Sequence, residues 1–394
     1  MSRRQRRETR DKRPTDRGFG LLEMLIAMAV TVVMLGAAFM FFDDMESMTE
    51  QVSVMSKVNE NLRGASDLIT KDIYTAGTSI PTGGIPIPWT SGQTYSLVKR
   101  PGPGANYFPA NNGVLSVIVP GNTLSGTIDG LPSDEITVIT VDENWVGLAP
   151  LQISSMSSSS STGYMVNVTI PSGCTPAASC ANLAAGQIYS VNTGDLLMFS
   201  TTGGLHALGM VTSVDQANNI IYFASDPLGL DQVCGSASTC VGSIDALGSP
   251  PYSGTYPSGM TLTKIDMVTY FIDTTSTQHK CVSAGASNPV ESCPLMREVD
   301  ASMELNPSSA EPVVAFGISN LQFAYDLTTG GAGTSGLSGL IPYTSPFTPS
   351  EVGKVDLSIS AISPSTLRKS RRYYSNTFDT SVTVRNLEYV NQFP

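Results

Sequence analysis

The sequence predicts an α+β fold, with a long N-terminal α-helix, apolar through its first half, packed on a large β-rich C-terminal domain. Three observations predict it. Residues 19–42 form a run of 24 with one ionisable side chain, Glu23. Apolar positions then recur at steps of three and four as far as Ala76, the spacing of one helical face. From Gly77 onward the composition turns to Gly, Pro, Ser and Thr, with apolar residues gathered in short, often alternating runs of the kind that form half-buried strands.

The segment 1–18 reads as a basic leader. It carries eight Arg or Lys and three acids, whereas the rest of the chain carries 14 bases and 30 acids. A basic run can pair with nucleic-acid phosphates. This one stands directly before an apolar run, where Lys and Arg set topology by staying on the cytoplasmic side. The expected orientation is therefore a cytoplasmic N-terminus with the bulk of the chain across the membrane. The acidic remainder argues against direct nucleic-acid binding, which rests on neutralising phosphates.

Residues 19–42 are long enough to cross a bilayer core. A secretory signal would have a shorter apolar stretch with a small-residue cleavage site after it; here the chain runs straight into Asp43, Asp44 and Glu46. The apolar stripe continues through Met45, Met48, Val52, Met55, Val58, Leu62, Ala65, Ile69, Ile73 and Ala76. No proline interrupts 19–76 and Gly77 follows, a residue suited to end a helix. The spacing predicts one helix over 19–76, about 87 Å long at ~1.5 Å per residue, membrane-spanning over 19–42 and amphipathic beyond. A carboxylate within such a span costs about 2.5–3.5 kcal/mol unless it is paired. Cleavage after Gly18 would supply a cation, the new α-amino group of Phe19.

Gly18-Phe19, then Leu21, Leu22, Glu23 and Met24 in an unbroken apolar run, resembles the prepilin-type cleavage and methylation signature of type IV pilin-like proteins. The resemblance implies that a prepilin peptidase cuts after Gly18 and methylates Phe19. It also implies that Glu23 pairs with the N-terminus of a neighbouring subunit during assembly. The implied partners are that peptidase, other pilins or pseudopilins through the helix, and the inner membrane before assembly. The implied location is the inner membrane, single-pass with the bulk periplasmic, and then a pilus or the cell surface. The helix-kinking proline of many major pilins is absent at Met40, which leans toward a minor pilin or pseudopilin.

Residues 77–394 form the expected exported domain. The stretch 78–133 is broken by Pro, Gly and Asn, with a possible edge strand at Val114–Val119. Strand-type runs follow at Glu135–Val141, Tyr164–Ile170, Asp195–Phe199, Gly209–Val214, Asn219–Phe223, Met267–Ile272, Val313–Tyr325, Val355–Ile362 and Phe378–Leu387. The serine run 154–162 and the Gly/Ser/Thr/Pro stretch 328–350 read as loops. Six cysteines lie in three local pairs, Cys174 with Cys180, Cys234 with Cys240 and Cys281 with Cys293. In an exported chain they read as disulfides, though six cysteines leave other connectivities open.

Further segments resemble PilW-like minor pilins: Ile69–Ile73 with Ala76-Gly77, Asp134–Val138, Gly194–Leu196, Val268–Asp273, Leu295–Glu298, Phe316–Tyr325 and Thr383–Leu387. A minor pseudopilin of type II secretion, J-like, is the nearest alternative, and a pilus-tip adhesin is another. No catalytic constellation, cofactor motif or metal-ligand spacing is evident, so the chain is not expected to be an enzyme. His206 and His279 stand apart. Asp134-Glu135 and Asp142-Glu143 flank a strand and read as solvated turn residues. Arg368, Lys369, Arg371 and Arg372 read as a solvated hairpin between the last two strands, or as a contact for an acidic partner.

Overall fold

The computed structural model describes residues 20–81, 83–102, 106–109, 113–145, 150–159, 163–169, 191–234, 236, 241–275, 281, 292–305, 312–327 and 352–384. One long helix packs on a strand-rich domain. Helix α1 runs from Leu21 to Thr75. It stops where Gly77 turns into the left-handed region at φ 74°, a conformation that glycine enters without penalty. The Gly77 amide then donates to Ile139 O at 2.9 Å, so the helix end is tied directly to the sheet.

Among the described residues that sheet has 13 strands. In chain order they are β1 Ile118–Gly121, β2 Glu135–Val141, β3 Leu151–Ser159, β4 Gly163–Thr169, β5 Leu196–Ser200, β6 His206–Met210 and β7 Ser213–Asp215. Then come β8 Ile220–Phe223, β9 Thr261–Ile272, β10 Cys293–Val299, β11 Val313–Leu327, β12 Val352–Thr366 and β13 Tyr373–Thr383. The spatial path is β7-β8-β4-β3-β9-β10-β11-β12-β13, with β5 and β2 also on β9, β6 on β5 and β1 on β2. Strand β9 is the hub. Its first half pairs with β5, and Val268 faces Val138 of β2 on one edge and Val299 of β10 on the other.

Helix α1 lies across β11, β12 and β13 and touches β2. It buries Val58, Leu62, Ala65, Ile69, Ile73 and Ala76, none more than 4% exposed, which is the second half of the stripe read from the sequence. The first half is uncovered: Met45, Met48 and Val52 are 50–67% exposed. Polar groups also join helix to sheet. The Tyr270 hydroxyl donates to Asp72 Oδ2 at 2.6 Å, and Arg297 Nε donates to the same oxygen at 2.8 Å. Tyr270 and Arg297 are register partners on β9 and β10, so one carboxylate on α1 is held by two adjacent strands. Asn376 Nδ2 donates to Asn59 Oδ1 at 2.8 Å, which gives that mid-helix asparagine a partner on β13.

Three readings need correction. The serine run does not begin a loop at 154: β3 continues through Ser159, paired with β4 from Ser159↔Gly163 to Gln152↔Thr169. Serine lacks the apolar alternation that marks a strand, but a ladder is made by the backbone, and here the facing strand supplies buried Tyr164 and Val166. Residues 160–162 and the expected loop 328–350 lie outside the described residues. Gly209–Val214 is not one strand. After Met210 the chain leaves β5, and Thr212 N donates to Tyr222 O as β7 joins β8. Asp134, Glu135 and Asp142 are buried, at 1%, 1% and 6% exposure, and only Glu143 fits the solvated reading. Asp134 accepts from the amides of Thr123 and Phe323. Glu135 accepts from buried Arg100, whose guanidinium also donates to Pro120 O and Val119 O at 2.8 and 2.9 Å.

Beneath the end of α1, burial pushes the Asp266 carboxyl from its ordinary 3.8 up to about 6, with Asp142 adding to the rise. Burial also raises Asp300 and Asp231 well above the ordinary carboxylate range. Such acids bind protons more tightly folded than unfolded. Their protonation therefore stabilises the fold at low pH, and the part owed to Asp266 is lost as pH rises through about 6. The domain should melt higher at about pH 5 than at about pH 7.5, and Asp266→Asn should remove part of that difference, on the order of 1 kcal/mol. Thermal unfolding at the two pH values checks this; a higher melting temperature at the alkaline value would contradict it.

Candidate functional site

The candidate site is the N-terminal half of α1. Every residue from Gly20 to Glu46 is exposed, including Leu21 at 83%, Val33 at 72%, Phe39 at 70% and Met40 at 75%. An apolar helix without protein cover over this length is built for lipid or for other apolar helices. The helix passes the length and composition required to cross a membrane.

Gly18 and Phe19, and with them the expected cleavage junction, lie outside the described residues. Glu23 stands in the first helical turn, where the Gly20 amide donates to its Oε2 at 3.3 Å. That amide belongs to the first turn, whose N–H groups have no partner within the helix. A carboxylate there also sits at the positive end of the helix dipole. The position is thus electrostatically suited to an acid and open on its outer side, ready for a cation from outside the helix.

Just beyond Phe42 the helix meets the sheet domain again. Arg368 reaches Asp43 at 3.3 Å and Glu46 at 3.4 Å, and Lys369 reaches Asp44 at 2.8 Å. Both cations sit on the turn joining β12 to β13. The hairpin seen in the sequence is there, and its acidic partner is the chain's own helix. Ser47, 5% exposed in an otherwise open stretch, lies one residue beyond Glu46. These pairs are more than half exposed, so they orient the hairpin more than they stabilise the fold.

The remaining candidates separate. Cys281 and Cys293 form a disulfide, and Cys234 is disulfide-bonded; Cys174, Cys180 and Cys240 lie outside the described residues. His279 does as well. His206 is a strand residue whose Nδ1 lies 2.9 Å from Ser200 Oγ, its register partner, and burial lowers its pKa. The sequence reading missed the Asp72–Tyr270–Arg297 cluster, although each residue falls in a segment singled out there for its resemblance. What no single segment shows is that the three meet.

Comparison with known proteins adds two findings. A prokaryotic N-terminal methylation motif matches residues 13–39. The pilin-like protein PilA3 of Thermus thermophilus is 30% identical over 96 residues, which cover 24% of this chain and 38% of that relative. The match thus spans well under half of the relative's length. No solved structure matches. The motif and the relative support a type IV pilin-like protein.

Proposed function

We propose that this chain is a minor pilin, PilW-like, that is cut after Gly18 by a prepilin peptidase, methylated at Phe19, and assembled through α1 into a type IV pilus that it primes or caps. One observation carries the reading. The methylation motif runs without a break into an uncovered apolar stretch of α1, ending at Phe42, whose lone carboxylate is Glu23. The domain meets that helix only beyond Phe42, leaving the apolar stretch before it free to sit in the inner membrane and then among neighbouring helices.

In a bundle of such helices, apolar packing would drive association and Glu23 would set axial register. A misregistered subunit leaves a carboxylate without its cation in an apolar setting, which is strongly unfavourable. The role is structural, with no catalytic step of its own. The bulk of the 13-stranded domain favours the end of a filament over its shaft, because a large head is hard to repeat at every subunit. The convergence of Asp72, Tyr270 and Arg297, drawn from three segments that resemble PilW-like proteins, supports that subtype.

Filament composition tests this reading. Mass spectrometry of sheared pili should find the chain at a small fraction of the major subunit, with immunogold label at one end. Stoichiometric incorporation along the shaft, or association with a type II secretion pseudopilus instead, would contradict it.

A further inference from the structure

We propose that the β12–β13 turn is a membrane-surface contact, in which Arg371 and Arg372 bind the phosphates of anionic phospholipid headgroups. This rests on the reading that α1 is seated in a bilayer over residues 19–42. The turn closes with Leu367 N donating to Arg372 O at 2.9 Å and Arg371 N donating to Leu367 O at 2.8 Å. Its depth follows from the ion pairs. Arg368 and Lys369 hold Asp43, Asp44 and Glu46, and Glu46 lies only about 6 Å along the helix from Phe42, at ~1.5 Å per residue. The headgroup layer is about 5–8 Å thick on each side of the hydrocarbon core. A turn fastened to Asp43–Glu46 therefore lies at headgroup level when Phe42 marks the end of the apolar span.

Charge points the same way. Three acids at headgroup depth would be repelled by anionic lipid. Arg368 and Lys369 offset two of those three charges, while Arg371 and Arg372 are exposed, make no ion pair among the described residues and turn the patch net positive. The turn thus turns an acidic belt into a surface with two spare guanidiniums, groups that match phosphate bidentately. Arg371 also holds a left-handed backbone at φ 53°. Glycine or asparagine would adopt that conformation more cheaply, so an arginine there bears strain that its side chain must justify.

The test uses the full chain in nanodiscs of phosphatidylcholine alone or mixed equally with phosphatidylglycerol. Amide hydrogen exchange is read over residues 366–374. Exchange should slow about tenfold with phosphatidylglycerol, and the slowing should vanish in Arg371→Gln/Arg372→Gln and at high salt. Equal exchange in the two lipids, or slowing that survives in the double variant, would overturn the proposal. Co-elution of the chain with discs of both compositions reports the membrane anchor separately. A failed anchor and a failed headgroup contact are thereby told apart, and unchanged exchange in β9 shows that the variant is folded.

Discussion

Glu23→Ala should seat the chain more firmly in the membrane and yet remove it from filaments. Taking a carboxylate out of the span relieves about 2.5–3.5 kcal/mol of insertion cost, so the variant should resist extraction at least as well as the parent. The head, which meets α1 only from Asp43 onward, should melt unchanged. Assembly should fall by at least about tenfold, because no group remains to pair with an incoming or neighbouring N-terminus. Glu23→Gln separates charge from shape: it keeps the acceptor for the Gly20 amide but cannot form the ion pair. If Glu23→Gln assembles normally, the register role assigned to the charge is wrong. Quantifying the chain in sheared filaments and in membranes, side by side, reads both effects.

The largest effect on stability is expected at Arg100. Its side chain is 1% exposed, as is that of Glu135, to which it is ion-paired. Its guanidinium donates to two backbone carbonyls of β1 and lies 5.7 Å from the ring centre of Phe108. Gly121 is part of the same arrangement, since a Cβ there would stand 2.7 Å from Arg100 Nη2. Arg100→Met strands the Glu135 carboxylate and the two carbonyls and should cost about 3–5 kcal/mol. Removing both charges, as Arg100→Met with Glu135→Leu, should recover much of that loss, because a buried pair is worth far less than the penalty for breaking it. Denaturant unfolding of the two variants decides; a single variant as stable as the parent would refute the role of the pair.

How much of this was legible in the sequence depends on the range of the interactions involved. The helix could be read almost to the residue, because its apolar stripe and the Gly77 stop are local signals. Strands with apolar alternation, such as Val355–Ile362, were legible for the same reason. The serine strand was not, since its partner residues Tyr164 and Val166 supply the burial that Ser154–Ser159 lack. The buried acids were misread because a carboxylate carries no local mark of burial. Asp134 is defined by an amide 189 positions away, Glu135 by an arginine 35 positions away, and Asp72 by residues on β9 and β10. At the site, Glu23 and its apolar setting were visible, whereas the contact of Arg368 and Lys369 with the helix spans more than 300 residues.

The central claim is that the Gly18–Phe19 junction is processed and that Glu23 is kept for a cation created by that cut. The intact mass of the protein extracted from its native membranes tests it most directly. A chain beginning at Phe19 and carrying one added methyl group is the predicted species. A chain that retains Met1–Gly18, or one that begins at Gly20 or later, would contradict the account.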